Sequence, residues 1–264
     1  MLDQTKRFGK FTSSEIYKLL TRAKNGVDFG KPAQTYIREK LMELEFGRSI
    51  DKNVSSREME WGKLCESRVF HIMKDDISYT PMHEITLQHP LYARWVGTPD
   101  ADRQRLKVVS ETKCPFTHVS FYNLVKSFEI GGIEEVMAVH DKGEQYYWQC
   151  VSNADLLGYN KAELIVYMPY QKELEEIRLE SANFGFPWIG FTQDEDLPYL
   201  LNDGKFKNIN VLPFDIPNSD IELLRYSVEM AEKEICKKLG IEYKAYIATP
   251  IDEGMIIDSI NSPK

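Results

Sequence analysis

The stretch Trp95–Pro115, WVGTPDADRQRLKVVSETKCP, places two short apolar runs on either side of a polar segment. Val108–Lys113 is rich in strand-forming residues, and in an extended chain its side chains alternate between faces, so Val109, Glu111 and Lys113 point the same way. One strand face then carries a carboxylate and an ammonium together. Trp95-Val96-Gly97 reads as a second short strand that Thr98-Pro99 ends, leaving Asp100 at its tip. The residues from Asp102 to Lys107 suit a hairpin between these two strands, taken as adjacent, which returns Glu111 to the neighbourhood of Asp100. Asp102 itself is expected to be a solvated turn residue.

Two carboxylates brought together repel, and a hard divalent cation such as Mg²⁺, with Mn²⁺ as a substitute, relieves the repulsion through oxygen ligands and bound water. Such an ion acidifies water and offsets charge on a phosphoryl oxygen. Lys113, two residues past Glu111, is placed to orient or deprotonate that water and to balance developing negative charge. Phosphodiester hydrolysis is the reaction that suits this set. Taken alone, the same residues equally describe a solvated Glu–Lys pair worth about 0.2–1 kcal/mol. The neighbouring sequence has to separate the two readings.

The segment resembles the PD-(D/E)xK nuclease motif, and Glu111-Thr112-Lys113-Cys114-Pro115 is similar to the E-x-K-C-P run of the phage lambda exonuclease and YqaJ-type viral recombinase family. Three further stretches match that family in order and spacing: Arg7–Glu15 (RFGKFTSSE), Trp61–Glu66 (WGKLCE) and Tyr146–Gln149 (YYWQ), together covering roughly residues 5 to 170. The resemblance implies an α/β fold of restriction-endonuclease-like architecture, a mixed central sheet flanked by helices. It also implies a Mg²⁺-dependent exonuclease that degrades linear double-stranded DNA from 5′ to 3′ in phage-type recombination. Metal binding falls to Glu66, Asp100, Glu111 and the backbone carbonyl of Thr112. Catalysis falls to Asp100, Glu111, Lys113 and Gln149, and phosphate binding to Arg7, Ser14 and Thr98. Double-stranded DNA ends, a ring-shaped homotrimer and a single-strand annealing protein are the implied partners. One departure stands out, since Val151 occupies a position where the family commonly has a second Gln. Two other functions stay open: a site-specific or repair endonuclease of the same superfamily, and a non-catalytic DNA-end-binding recombination scaffold.

The rest of the chain reads as one domain spanning residues 1–264, with the catalytic core at about 5–170 and a C-terminal strand and helix at about 205–240. Thr12-x-x-Glu15 fits a capping box opening a helix that buries Ile16, Leu19 and Leu20, with an anion-friendly N-terminus beside Arg7 and Ser14. Helices are predicted from Pro32 to Phe46, stopped by Gly47, and from Ser56 to Met73, with Trp61, Cys65, Val69 and Ile72 on its apolar stripe and Glu66 beside it. Gly62, one turn before Glu66, is expected to admit a neighbouring backbone. Further helices are expected over Thr117–Phe128 and Glu144–Leu157, separated by a flexible Gly131-Gly132 turn near DNA, and then an apolar strand over Ala162–Tyr167. The charged run Gln171–Glu180 reads as a solvated face, Ser219-Asp220-Ile221-Glu222 as the cap of a helix to Leu239, and Ile247–Lys264 as an arm without periodicity.

Composition sets bounds on function. A net charge of −8 disfavours coating of DNA by bulk electrostatics, although a nuclease can still work with an acidic total if basic residues line one groove and bound cations supply local positive charge. The four cysteines, Cys65, Cys114, Cys150 and Cys236, form no C-x-x-C pair, which suits reduced thiols. The first residues lack the apolar core of a secretory signal and no run is long enough to span a bilayer, which together predict a cytoplasmic protein with no membrane partner.

Overall fold

The computed structural model describes residues 7–50, 55–73 and 78–246. Its centre is a five-stranded mixed sheet in the order β2 (Thr80–Pro81), β5 (Ala101–Arg103), β6 (Val108–Lys113), β7 (Lys161–Tyr167), β8 (Ile209–Asp215). Only β6 and β7 run parallel, in the register Glu111 to Leu164 and Lys113 to Val166, and the other pairs are antiparallel. A parallel neighbour requires a crossover. Here it is the helix pair α3 (His118–Val139) and α4 (Gly143–Leu157), which carries the chain from the end of β6 back to the start of β7. A smaller sheet joins β1 (Phe11–Thr12), β4 (Trp95–Gly97) and β3 (Leu87–Gln88), with β4 central.

The other helices are α1 (Lys31–Phe46), α2 (Arg57–Met73), α5 (Leu174–Asn183), α6 (Pro187–Phe191) and α7 (Asn218–Leu239). Two apolar clusters hold the layers together. In the larger, α1, α3, α4 and α7 pack with Phe11, Trp95, Val109 and Leu164; in the smaller, Trp61, Leu64 and Val69 of α2 meet Ile165, Tyr167, Leu174 and Ile189. β7 therefore feeds both clusters: Leu164 and Val166 lie on one face, Ile165 and Tyr167 on the other, and all four are 0–1% exposed. Burial of a strand on both faces explains why its sequence is a continuous apolar run.

Several expectations are corrected. β4 and β6 are not neighbours, because the chain leaves β4 for the other sheet and resumes as β5; the hairpin joins β5 to β6. Asp102 is consequently a strand residue, 8% exposed, paired with Val109 and accepting from the Tyr159 hydroxyl at 3.4 Å, rather than a solvated turn residue. The capping box does not form: Thr12 is in a strand, Glu15 pairs with Lys18 at 2.9 Å, and Ile16–Leu20 is a single five-residue 3₁₀ turn. Nor does Ser219 or Asp220 cap α7, whose N-cap is Pro217; Asp220 instead accepts from the Tyr147 hydroxyl at 2.5 Å. Gly131 and Gly132 form a kink inside α3, where Gly132 at φ 67 and ψ −153 adopts a conformation closed to other residues. The charged run contains α5, three of whose neighbouring carboxylates converge on Arg68 instead of facing only solvent. Ile72 is 43% exposed and off the apolar stripe of α2, which continues from Val69 to Met73 instead. Ile247–Lys264, expected to be an arm, lies outside the described residues.

Candidate active site

The β5–β6 hairpin sets the geometry. Ala101 pairs with Ser110, so Asp100, one residue before β5, lies opposite the next position of β6. There its Oδ2 accepts the Thr112 amide at 2.6 Å. The Glu111 side chain meets α4, and both its oxygens are occupied. Oε1 accepts from Lys113 Nζ at 3.1 Å and from Gln149 Nε2, while Oε2 accepts from Asn153 Nδ2 at 2.9 Å. Lys113 Nζ also donates to Gln149 Oε1 at 3.0 Å and lies 4.8 Å from the centre of the Tyr146 ring. Lys113, Gln149 and Asn153 thus clasp one carboxylate, and they come from two elements packed side by side.

Asn153 escaped the sequence reading. It follows Gln149 by four residues, and i,i+4 side chains share a helix face, which is the signal that points to it. Val151, between them on the same helix, is turned into the core and 0% exposed. Gly97 belongs to the same construction. A Cβ there lies 2.1 Å from Ser13 Oγ and 2.4 Å from Asn153 Oδ1, so only glycine lets β4 approach α4 this closely.

The electrostatics are those of too much buried negative charge. Burial raises Asp100 to about 7, reinforced by the neighbouring Glu66, whose carboxyl shares a hydrogen bond with it. Burial likewise raises Glu111 to about 8, reinforced by Asp100. Glu66, on α2, is raised by burial and by Glu111. Burial pulls Lys113 downward, but Glu111 and Asp100 outweigh it and the lysine is held protonated. Three carboxyl groups from α2, β5 and β6 therefore destabilise one another's ionised forms, with one ammonium among them. Glu66, Thr112 and Lys113 line an open cleft of about 580 Å³ together with Tyr146 and Lys142. Gly62 lines the same cleft; among the described residues no neighbouring backbone lies within 4 Å of where its Cβ would be, contrary to expectation.

Among the described residues no three His, Cys, Asp or Glu side chains form a ready coordination shell. The reason is visible: Glu111 is saturated by donors and Asp100 is tied to Thr112. The donor set still fits a hard divalent cation, being made of carboxylate oxygens whose ionisation needs added positive charge. The Thr112 hydroxyl is buried and has no hydrogen-bond partner among the described residues.

The expected phosphate residues divide into two places. Arg7 and Ser14 line a polar recess of about 220 Å³ with Thr12, Glu15, Lys40 and Glu43. Lys40 and Glu43 pair at 3.2 Å, almost fully buried, and Glu43 also accepts the Gly9 amide at 2.8 Å. Thr98 is not among the residues lining the recess; its hydroxyl meets that of Thr86 at 3.1 Å. All four cysteines are free thiols, and no helix among the described residues is long and apolar enough to cross a membrane.

No family model and no curated protein matches the sequence. Solved structures do match the fold. An alkaline exonuclease, LHK-Exo from Laribacter hongkongensis, superposes with a TM-score of 0.57 at 16% identity, covering 89% of this chain and 92% of its own. Its complex with dAMP gives 0.54 at 16% identity over 89% and 91%. A phage-related exonuclease from Haemophilus somnus 129PT gives 0.63 at 15% identity over 88% and 95%. The chain therefore has the fold of these exonucleases, a mixed sheet with flanking helices in the restriction-endonuclease-like arrangement that its motif run implies.

Proposed function

We propose that the protein is a divalent-metal-dependent exonuclease that hydrolyses phosphodiester bonds of linear double-stranded DNA. The observation that carries this reading is the clasp of Glu111 by Lys113 and Gln149 beside Asp100, at the C-terminal end of a buried strand. The shared fold and the dAMP complex of LHK-Exo support a nucleic-acid substrate. The order of the four motifs supports 5′-to-3′ polarity, Mg²⁺ as the physiological ion, a homotrimer, and recombination alongside an annealing protein.

In this reading Asp100, Glu111 and Glu66 hold the metal, with the Thr112 carbonyl as a further ligand. A bound divalent cation supplies acidified water and charge neutralisation at the phosphoryl oxygens. Lys113, held protonated, supports phosphate charge and orients water rather than abstracting its proton. Gln149 fixes the ammonium through its carbonyl and the Glu111 carboxylate through its amide, so both keep one orientation as substrate arrives. Arg7 and Ser14, with Lys40 behind them, suit a terminal phosphate in their recess. Thr98 contributes at most indirectly through Thr86.

The test is digestion of matched linear duplexes, 5′-phosphorylated or not, beside a closed circle in Mg²⁺, by wild type and Lys113→Ala. Stepwise loss from the 5′-phosphorylated end, absent in the variant and sparing the circle, is the expected result. Cleavage of the circle makes the protein an endonuclease, and binding without hydrolysis in Mg²⁺ or Mn²⁺ makes it a scaffold.

A further inference from the structure

One surface groove gathers several cations with fewer carboxylates beside them. It runs between α1 and α7, has a volume of about 970 Å³, and is lined by Lys31 and Arg38 of α1 and by Lys233, Lys237 and Lys238 of α7. Against these five cations stand two carboxylates, Asp28 and Glu234, in a chain whose net charge is −8.

Pairing reduces the imbalance only in part. Glu234 holds Lys238 at 3.0 Å and Glu229 holds Lys233 at 2.6 Å, both exposed contacts that exchange readily for another anion. Lys31, Arg38 and Lys237 have no carboxylate partner among the described residues, and all three are exposed. Lys31 and Arg38 are seven residues apart on one face of α1, about 10 Å along its axis, and Lys233 and Lys237 are about 6 Å apart along α7. Two rows of cations facing one another across a groove match a ladder of phosphates. Phe29 in the floor is 5% exposed and covered by the Arg22 guanidinium at 5.1 Å, and Met230 adds a part-exposed apolar side chain.

We propose that this groove binds the phosphodiester backbone of DNA outside the cleavage site. α1 connects it to the polar recess, because the same helix supplies Lys31 and Arg38 to the groove and Lys40 to the recess. The proposal rests on the DNA reading of the active site for the identity of the polyanion. It adds a track that holds duplex by charge alone and explains how a chain of net negative charge grips its substrate.

The experiment measures binding of a short blunt duplex by fluorescence anisotropy without divalent cation, from about 50 to about 200 mM salt. Wild type is compared with Lys31→Ala/Arg38→Ala/Lys237→Ala and with Lys161→Ala/Lys172→Ala/Lys207→Ala, three exposed lysines outside the groove. At about 0.9 of log–log slope per phosphate, losing three contacts makes the groove variant roughly 40-fold less sensitive to that salt change than wild type. The control triple keeps the wild-type slope, and Lys31→Arg/Lys237→Arg keeps it as well. Circular dichroism melting verifies that each protein is folded. Equal slopes for wild type and the groove variant overturn the proposal, as does an equal loss in the control triple. Loss of poly-glutamate binding with DNA affinity intact makes the groove a site for acidic polypeptide instead. Absence of nuclease activity leaves this readout untouched, because no cleavage is required.

Discussion

Two buried charge clusters share the helix α2, and they are built in opposite ways. Arg68 faces the smaller apolar cluster and gathers Glu180 at 2.7 Å, Glu176 at 2.9 Å and Glu173 at 3.6 Å. The guanidinium pulls Glu176 below the ordinary carboxylate range and is itself held firmly charged. Half a turn away Glu66 faces Asp100 and Glu111, and there burial and mutual repulsion push all three carboxyls upward. A fork of five donors with carboxylates that reach solvent settles its own charge and ties α2 to α5. Three carboxyls with one ammonium do not. The first arrangement is a fastening, and the second is, in the proposed reading, a site for a divalent cation.

The largest separation between the two comes from removing the cation in each. Lys113→Ala is expected to lower kcat by about 10³-fold or more, with melting temperature within a few degrees of wild type, because it removes charge at the reacting phosphate. Arg68→Met is expected to cost about 2–3 kcal/mol in denaturant unfolding, since three carboxylates lose a charged donor, while activity per folded molecule stays within about threefold. Rapid-quench digestion beside urea melts distinguishes them, and a catalytic collapse in Arg68→Met would merge the clusters into one function.

Next in size is the support behind Glu111. Asn153→Ala leaves Glu111 without its Oε2 donor, and activity is expected to fall about 10–100-fold, partly recovered in Asn153→Gln. Gly97→Ala acts from the far side, forcing Cβ onto Ser13 and Asn153, with a cost of about 1–3 kcal/mol and a similar activity loss. Normal activity in both variants shows that Glu111 is positioned without Asn153.

A smaller effect concerns pH. Asp100 and Glu111 have folded pKa values above their unfolded ones, so the stability they contribute is present at acid pH and lost as pH rises through about 7 and 8. The metal-free protein should melt progressively lower across that window, and Glu111→Gln should melt roughly 3–6 °C higher than wild type on its alkaline side. The Arg68 cluster has the opposite sign: Glu176 is lowered, so its contribution is lost only in acid. Thermal melts from acid to alkaline pH in chelator check both, and a flat profile for wild type contradicts the first. Thr98→Ala, whose hydroxyl touches only Thr86 among the described side chains, should change activity less than about threefold by steady-state assay.

The parts legible in the sequence are those where local pattern and burial agree. β6 and β4 fall where alternation and the Thr98-Pro99 break put them, α1 ends at Gly47, and β7 matches the apolar run. Lys113 and Gln149 meet because both lie on elements of clear periodicity. What remained illegible was set by tertiary partners. β5 is three residues long and gains its identity from pairing with β6 and β2, so Asp102 read as turn. Thr12 gave up its cap to join Trp95 and Val96 in the small sheet. The carboxylates of the run after Gln171 are polar on inspection, and only the fold brings Arg68, more than a hundred residues earlier, into their midst. Asn153 was hidden because an amide on a helix is ordinary until a strand carboxylate is found opposite it.

The claim that the Glu66–Asp100–Glu111 group awaits a cation is tested most directly by calorimetric titration of Mn²⁺ at several values between about pH 6.5 and 8.5, in buffers of different ionisation enthalpy. Tightening with pH, release of protons to the buffer, and loss of binding in Glu111→Gln are the predicted results. Binding that is independent of pH and survives in Glu111→Gln contradicts the account.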